Sequence, residues 1–103
     1  MSIKEAAAAW REQVRAGDLL ARYGGEEFGV LLIGQSMETA LEVLNRMRTV
    51  TPRGQTFSAG IAVWDGREMP EQLVARADEA LYQAKHDGRD RVEAARAAAQ
   101  LLT

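Results

Sequence analysis

The residues best equipped for chemistry sit in one stretch, Ala21-Arg22-Tyr23-Gly24-Gly25-Glu26-Glu27-Phe28. Gly-Gly between two apolar-rich runs is a hairpin signal, because both glycines can take the positive φ that such a turn requires. Two adjacent carboxylates, Glu26 and Glu27, follow at once. On a strand, successive side chains point to opposite faces, so these two are not expected to serve one purpose. Charged residues outside the stretch also attract attention: Arg15 with Asp18, Arg46, and Lys85 with Arg89. Each has a plain reading. A Gly-Gly hairpin needs no ligand, exposed glutamates are common, and cations near a helix C-terminus suit its dipole.

The elements that must position these groups are legible from periodicity and punctuation. Ile3, Ala6, Ala7, Trp10 and Val14 recur at helical spacing, which predicts a helix over 3–16 that Gly17 is placed to stop. Strands are predicted over 19–23 and 27–33. Ser36 is a candidate N-cap for a helix over 37–49 that buries Met37, Ala40, Leu41, Leu44 and Met47. Pro52 disfavours helix at Thr51 and should end it. A turn at 52–54 leads to a strand over 55–64, with Phe57, Ala59, Ile61 and Val63 on one face. Pro70 suits the first turn of a helix that runs to about Lys85. Gly88 ends that excursion, residues 90–94 form a last short strand, and the Ala-rich tail, 93–103, reads as a terminal helix.

Composition narrows the function classes. At 103 residues, with 47% hydrophobic residues, the chain suits one domain with a modest core. A formal net charge of −2 with interspersed signs argues against a duplex nucleic acid partner. The absence of cysteine excludes disulfides and thiolate metal sites, and the single histidine, His86, is expected at the surface beyond a helix. No apolar run approaches the length of a membrane span, so a cytoplasmic protein without membrane partners is expected.

The central octapeptide resembles the signature loop of the diguanylate cyclase family, named GGDEF or GGEEF after it. The resemblance continues through Thr56-Phe57-Ser58-Ala59-Gly60-Ile61-Ala62 and Ala77-Asp78-Glu79-Ala80-Leu81-Tyr82-Gln83-Ala84-Lys85. It ends in Gly88-Arg89-Asp90-Arg91-Val92. It implies an α+β sandwich, here in the order α-β-β-α-β-α-β, with a mixed sheet and helices packed on it. In the family an opening strand and helix precede this order, and they are not matched here. That strand lies between the second hairpin strand and the strand matching 55–64. Its loss would leave unpaired backbone groups. Strand 27–33 is therefore expected to pair directly with 55–63 in a parallel crossover, or a second chain to fill the gap as a homodimer.

Diguanylate cyclases join two GTP molecules into cyclic di-GMP, a signalling second messenger, by phosphoryl transfer in which positioning and charge neutralisation dominate. The resemblance assigns Gly24 and Gly25 to close backbone approach to phosphates, and Lys85 and Arg89 to phosphate oxygens. Glu26 would be a metal ligand that helps to activate the hydroxyl, with Glu27 in support. The family completes its Mg²⁺ site with an aspartate on the opening strand, and residues 1–17 offer only Glu5 and Glu12. The catalytic set is therefore read as vestigial, with Mg²⁺ relevant only if the loop still binds GTP.

A second family site has its counterpart in Arg15-Ala16-Gly17-Asp18, an RxxD placed six residues before Gly24. In the family this inhibitory site grips a stacked cyclic di-GMP dimer. Arginine can bind phosphate or the O6/N7 edge of guanine, and aspartate can accept from guanine N–H groups. Arg46 is placed to add a further cation, and Arg48 is the weaker candidate. The expected function is cyclic di-GMP binding through Arg15, Asp18 and Arg46, without turnover and without a required cofactor. The alternatives are a fragment of an active cyclase and a dimerising scaffold that binds no nucleotide.

Overall fold

The computed structural model describes residue 5 and residues 15–24, 28–50 and 57–95. Their elements are β1 (Leu19–Tyr23), β2 (Phe28–Leu32), α1 (Met37–Thr49), β3 (Ala59–Val63), α2 (Pro70–His86) and β4 (Val92–Ala94). The strands form one mixed sheet in the order β2-β1-β3-β4. β1 is antiparallel to both of its neighbours, and β3 is parallel to β4. The architecture is α+β, as the resemblance implied. Of the helix predicted over 3–16, the described residues include only Glu5, which is helical, and Arg15 and Ala16, which are not; the Pro52 turn and the tail beyond Ala95 lie outside them, and Glu93 and Ala94, assigned to that tail, belong to β4.

Alternation along the strands sorts the core into two layers, because successive side chains leave a strand on opposite sides. Leu19, Ala21, Phe57, Ala59 and Ile61 pack with Ala40 and Leu44 of α1. Leu20 and Ala62 pack on the other side with Leu73 and Ala77 of α2. α1 starts where expected: the Ser36 Oγ accepts the Thr39 N–H at 3.1 Å, giving an N-terminal orphan donor its partner. At α2 Pro70 opens the helix, and the Gln72 side chain accepts the Met69 N–H at 2.7 Å.

α2 lies directly on β3 at Gly60. A Cβ there would stand 2.2 Å from the Leu81 nitrogen and 2.3 Å from the Ala77 carbonyl oxygen. Only glycine lets the two backbones approach so closely. Arg76 reinforces the same seam: its Nε donates to Glu68 Oε2 at 3.1 Å, and its Nη2 reaches the Val63 carbonyl and Glu68 Oε1. Both side chains are nearly inaccessible, at 4% and 6%, so this is a buried and fully engaged ion pair.

The strand order corrects one expectation. β2 does not pair with β3; β1 stands between them, in register from Leu19 opposite Val63 to Tyr23 opposite Ala59. Since β1 is antiparallel to both, β2 and β3 run in the same direction, but the crossover through α1 skips a strand. Burial explains the choice. Leu19, Leu20 and Ala21 are at most 2% exposed, so β1 is apolar on both faces and gains most from a central position. β2 begins with Phe28 at 49% exposure and tolerates an edge. Among the described residues, β1 occupies the place between β2 and β3.

Candidate functional site

Two charged regions flank β1. The first is the corner where the chain enters the strand. The Asp18 carboxylate accepts the Arg15 N–H at 2.8 Å through Oδ2 and the Gly34 N–H at 2.9 Å through Oδ1. The Asp18 N–H donates back to the Arg15 carbonyl at 2.9 Å, and its own carbonyl accepts the Trp64 N–H at 2.8 Å. Asp18 is buried, and its carboxyl is held below the usual range. The N–H of Arg15 is the main cause and that of Gly34 the next; burial opposes them, and the Arg15 charge contributes least.

This corner presents Arg15 as an exposed side chain on a turn pinned by the aspartate. Gly17 at φ +97° and Gly34 at φ +70° supply the left-handed backbone that brings both segments to the carboxylate. Arg46 is exposed on α1, in a shallow groove of about 600 Å³ with Glu38, Leu41, Glu42, Asn45 and Thr49. Arg48 is committed elsewhere: its Nη1 lies 3.4 Å from Asp90 Oδ2, and its Nε donates to Asn45 at 3.3 Å.

The second region is a cleft of about 360 Å³ between β1 and α2, lined by Arg22, Asp78, Leu81, Tyr82 and Lys85. Arg22 emerges from an otherwise apolar strand with its side chain only 10% exposed, and Asp78 Oδ1 stands 2.7 Å from its Nε. The N–H is not aligned on that oxygen, so the contact is an ion pair, and buried Nε has no hydrogen-bond acceptor among the described residues. Tyr82 is 66% exposed and stacks on His86 with centroids 5.9 Å apart and planes 10° from parallel. His86 is the last residue of α2 rather than beyond it.

Lys85 therefore joins a cleft, while Arg89 does not line it. The helix has ended by then, and Gly88, Arg89 and Asp90 all take positive φ, at 123°, 64° and 48°. The Arg89 N–H to Ala84 at 2.9 Å and the Asp90 N–H to Ser58 Oγ at 3.1 Å hold this tight turn. Gly24 closes β1 with φ +65°, as the hairpin reading required. Gly25, Glu26 and Glu27 lie outside the described residues. Among the described residues no group of three histidines or carboxylates is arranged to hold a metal ion, and no helix is long and apolar enough to cross a membrane.

Arg22, Asp78 and Tyr82 escaped the sequence reading. The available signal was Arg22 itself, since a guanidinium inside an apolar strand must have a partner.

Comparison with known proteins bears on the family and the fold. Residues 2–91 match the family described as diguanylate cyclase, GGDEF domain. The chain is 42% identical over 103 residues to diguanylate cyclase DgcP of Pseudomonas aeruginosa, covering 90% of this chain and 15% of that protein. It is 42% identical over 88 residues to diguanylate cyclase DgcM of Escherichia coli K12, covering 79% of this chain and 22% of that one. Thus it spans less than a quarter of the length of these curated relatives. Among solved structures, an EAL/GGDEF domain protein from M. capsulatus is similar at TM-score 0.56 and 31% identity, over 91% of this chain and 68% of that one. The GGDEF domain of DgcB from Caulobacter crescentus, in complex with c-di-GMP, shares the fold at TM-score 0.59 and 24% identity, over 89% of this chain and 58% of that one.

Proposed function

Because this chain belongs to the diguanylate cyclase GGDEF domain family, we propose that it binds cyclic di-GMP through Arg15, Asp18 and Arg46 and does not by itself turn GTP over. The observation that carries the proposal is the Asp18 corner. Its carboxylate pins the Arg15 backbone, so an exposed guanidinium is presented to solvent from a fixed turn. Each Asp18 oxygen accepts one backbone N–H and keeps a further lone pair for a guanine edge. Arg46, exposed on α1, adds a second cation for phosphate. The solved DgcB domain carries c-di-GMP, which makes that ligand the first to test here. Glu26 and Glu27 match the family's catalytic loop. Mg²⁺ enters this proposal only as a companion of GTP at Glu26.

A second reading is favoured by the relatives' names and by the small share of their length that this chain spans: within a longer protein, the domain takes part in making cyclic di-GMP from two GTP molecules. Calorimetric titration with cyclic di-GMP separates the two. The binding reading predicts uptake of a stacked ligand pair, weakened at least about tenfold by Arg15→Ala, the size of one lost bidentate contact. Unchanged affinity in Arg15→Ala, or no heat at all, sinks it. Conversion of GTP with Mg²⁺ by the purified chain would instead establish the enzymatic reading.

A further inference from the structure

We propose that Arg76 is a positioning residue for the Asp18 corner: with Glu68 it clasps the loop from Val63 to Glu68 onto α2, and the clasped loop fixes the turn that presents Arg15. The proposal rests on the reading of that corner as the cyclic di-GMP site, and it adds a residue that touches no ligand.

The contacts from α2 to the corner are continuous. Trp64 follows the last residue of β3, and both of its backbone polar groups go to the corner. Its N–H donates to the Asp18 carbonyl at 2.8 Å, and its carbonyl accepts the Gly17 N–H at 2.9 Å. These bonds carry the β1–β3 pairing past its last register pair, Leu19 opposite Val63. The loop also meets the turn by shape: a Cβ at Gly66 would stand 2.9 Å from that of Ala16, the residue next to Arg15. Whatever sets the path of residues 64–66 therefore sets Gly17, Asp18 and the base of Arg15.

Arg76 sets that path. Its guanidinium bonds the Val63 carbonyl before the loop and both carboxylate oxygens of Glu68 after it, so one rigid fork holds the two ends. Between them, the Trp64 indole N–H donates to the Glu68 carbonyl at 3.0 Å. Asp65 Oδ1 accepts the Arg67 and Glu68 N–H groups, each at 2.7 Å. Stability alone does not call for the ion pair, because well-packed apolar side chains of similar volume are often as stable as a buried pair or more so. What the pair adds is a single arrangement, since each donor must meet its acceptor. A fixed loop has its use beside a site that must be in shape before its ligand arrives.

The test uses the full chain as wild type, as Arg76→Lys, and as the double variant Glu68→Leu with Arg76→Met, which removes both charges and leaves neither unpaired. Thermal melts establish that each is folded at the temperature of titration. Calorimetry with cyclic di-GMP is expected to show an affinity about tenfold weaker in the double variant, the loss that follows when only about a tenth of the molecules hold the corner in its binding arrangement. Arg76→Lys, which keeps the charge but not the fork, should fall between. Amide hydrogen exchange without ligand should quicken at Gly17 and Trp64 and stay unchanged at Leu44 in α1. A folded double variant that binds as tightly as a binding wild type overturns the proposal, and so does unchanged exchange at both amides. If the wild type takes up no cyclic di-GMP, the ligand reading falls, and exchange alone decides whether Arg76 sets the corner. Should the double variant fail to fold, Arg76→Lys carries both readouts by the same criteria.

Discussion

The Asp18 corner and the Arg22–Asp78 cleft use the same two residue types to opposite ends. At the corner the carboxylate accepts two backbone N–H groups, and the arginine side chain is left to solvent. In the cleft the arginine is the buried partner, and the carboxylate, at 44% exposure, is the more open one. An aspartate engaged by backbone shapes the chain, and removing it exposes unpaired donors. An aspartate engaged by a guanidinium only steers a side chain, so removing it changes a surface. An Arg/Asp pair does not state its own role; the partner atoms do.

The comparison breaks most severely at Gly60, because the cleft depends on α2 lying against β3 whereas the corner depends on β1 and the turns beside it. Gly60→Ala would place a methyl group within 2.2 Å of the α2 backbone. Neither backbone can yield by rotating a side chain, so a loss of about 3 kcal/mol in urea unfolding is expected, at the upper end of overpacking costs. A loss below about 1 kcal/mol would mean that α2 is seated less closely on β3.

Asp18→Ala should cost less, about 2 kcal/mol, because it leaves two N–H groups without their acceptor. The pH dependence sharpens this. The folded-state pKa of Asp18 lies below the ordinary 3.8, so its contribution is present above that value and is lost as pH falls through the lower folded value. Acid unfolding should therefore include a decline below about pH 4 that Asp18→Asn lacks. Identical acid profiles for the two proteins would remove the carboxylate from the account of the corner.

Asp78→Ala should have the smallest effect on stability, about 1 kcal/mol, since solvent screens a half-open carboxylate that makes no aligned hydrogen bond to the Arg22 Nε it faces. A cost as large as that of Asp18→Ala would erase the distinction between the two regions.

Much of the fold was legible locally. The Ser36 cap, the apolar spacing of Met37, Ala40, Leu44 and Met47, and Pro52 beyond its end outlined α1 as 37–49, where it is found. Pro70 did the same for the start of α2, read to about Lys85 and found to end at His86, and the strand 19–23 was read with its observed bounds. All rest on contacts within a few residues. Of the candidate sites, Arg15 and Asp18 fell together because they lie in one turn, but the second duty of Asp18, at Gly34, spans sixteen residues and had no local sign. Asp78 was quoted within a motif, yet its partner Arg22 stands on another element.

By itself, then, the amino-acid sequence outlined β1, β2, α1, β3 and α2 to within a few residues, and it determined which family the chain belongs to. Period and punctuation are properties of neighbouring residues, and the motif lies in a few of them. Tertiary structure decided that β1, not β2, lies against β3, and with it that Arg22 faces α2 beside Asp78, Tyr82 and Lys85. Alternation says which side of a sheet a residue takes but not which strand stands next to it. That choice falls to the strand that buries the most apolar surface on both faces, and it is settled only when all of the strands compete for the centre.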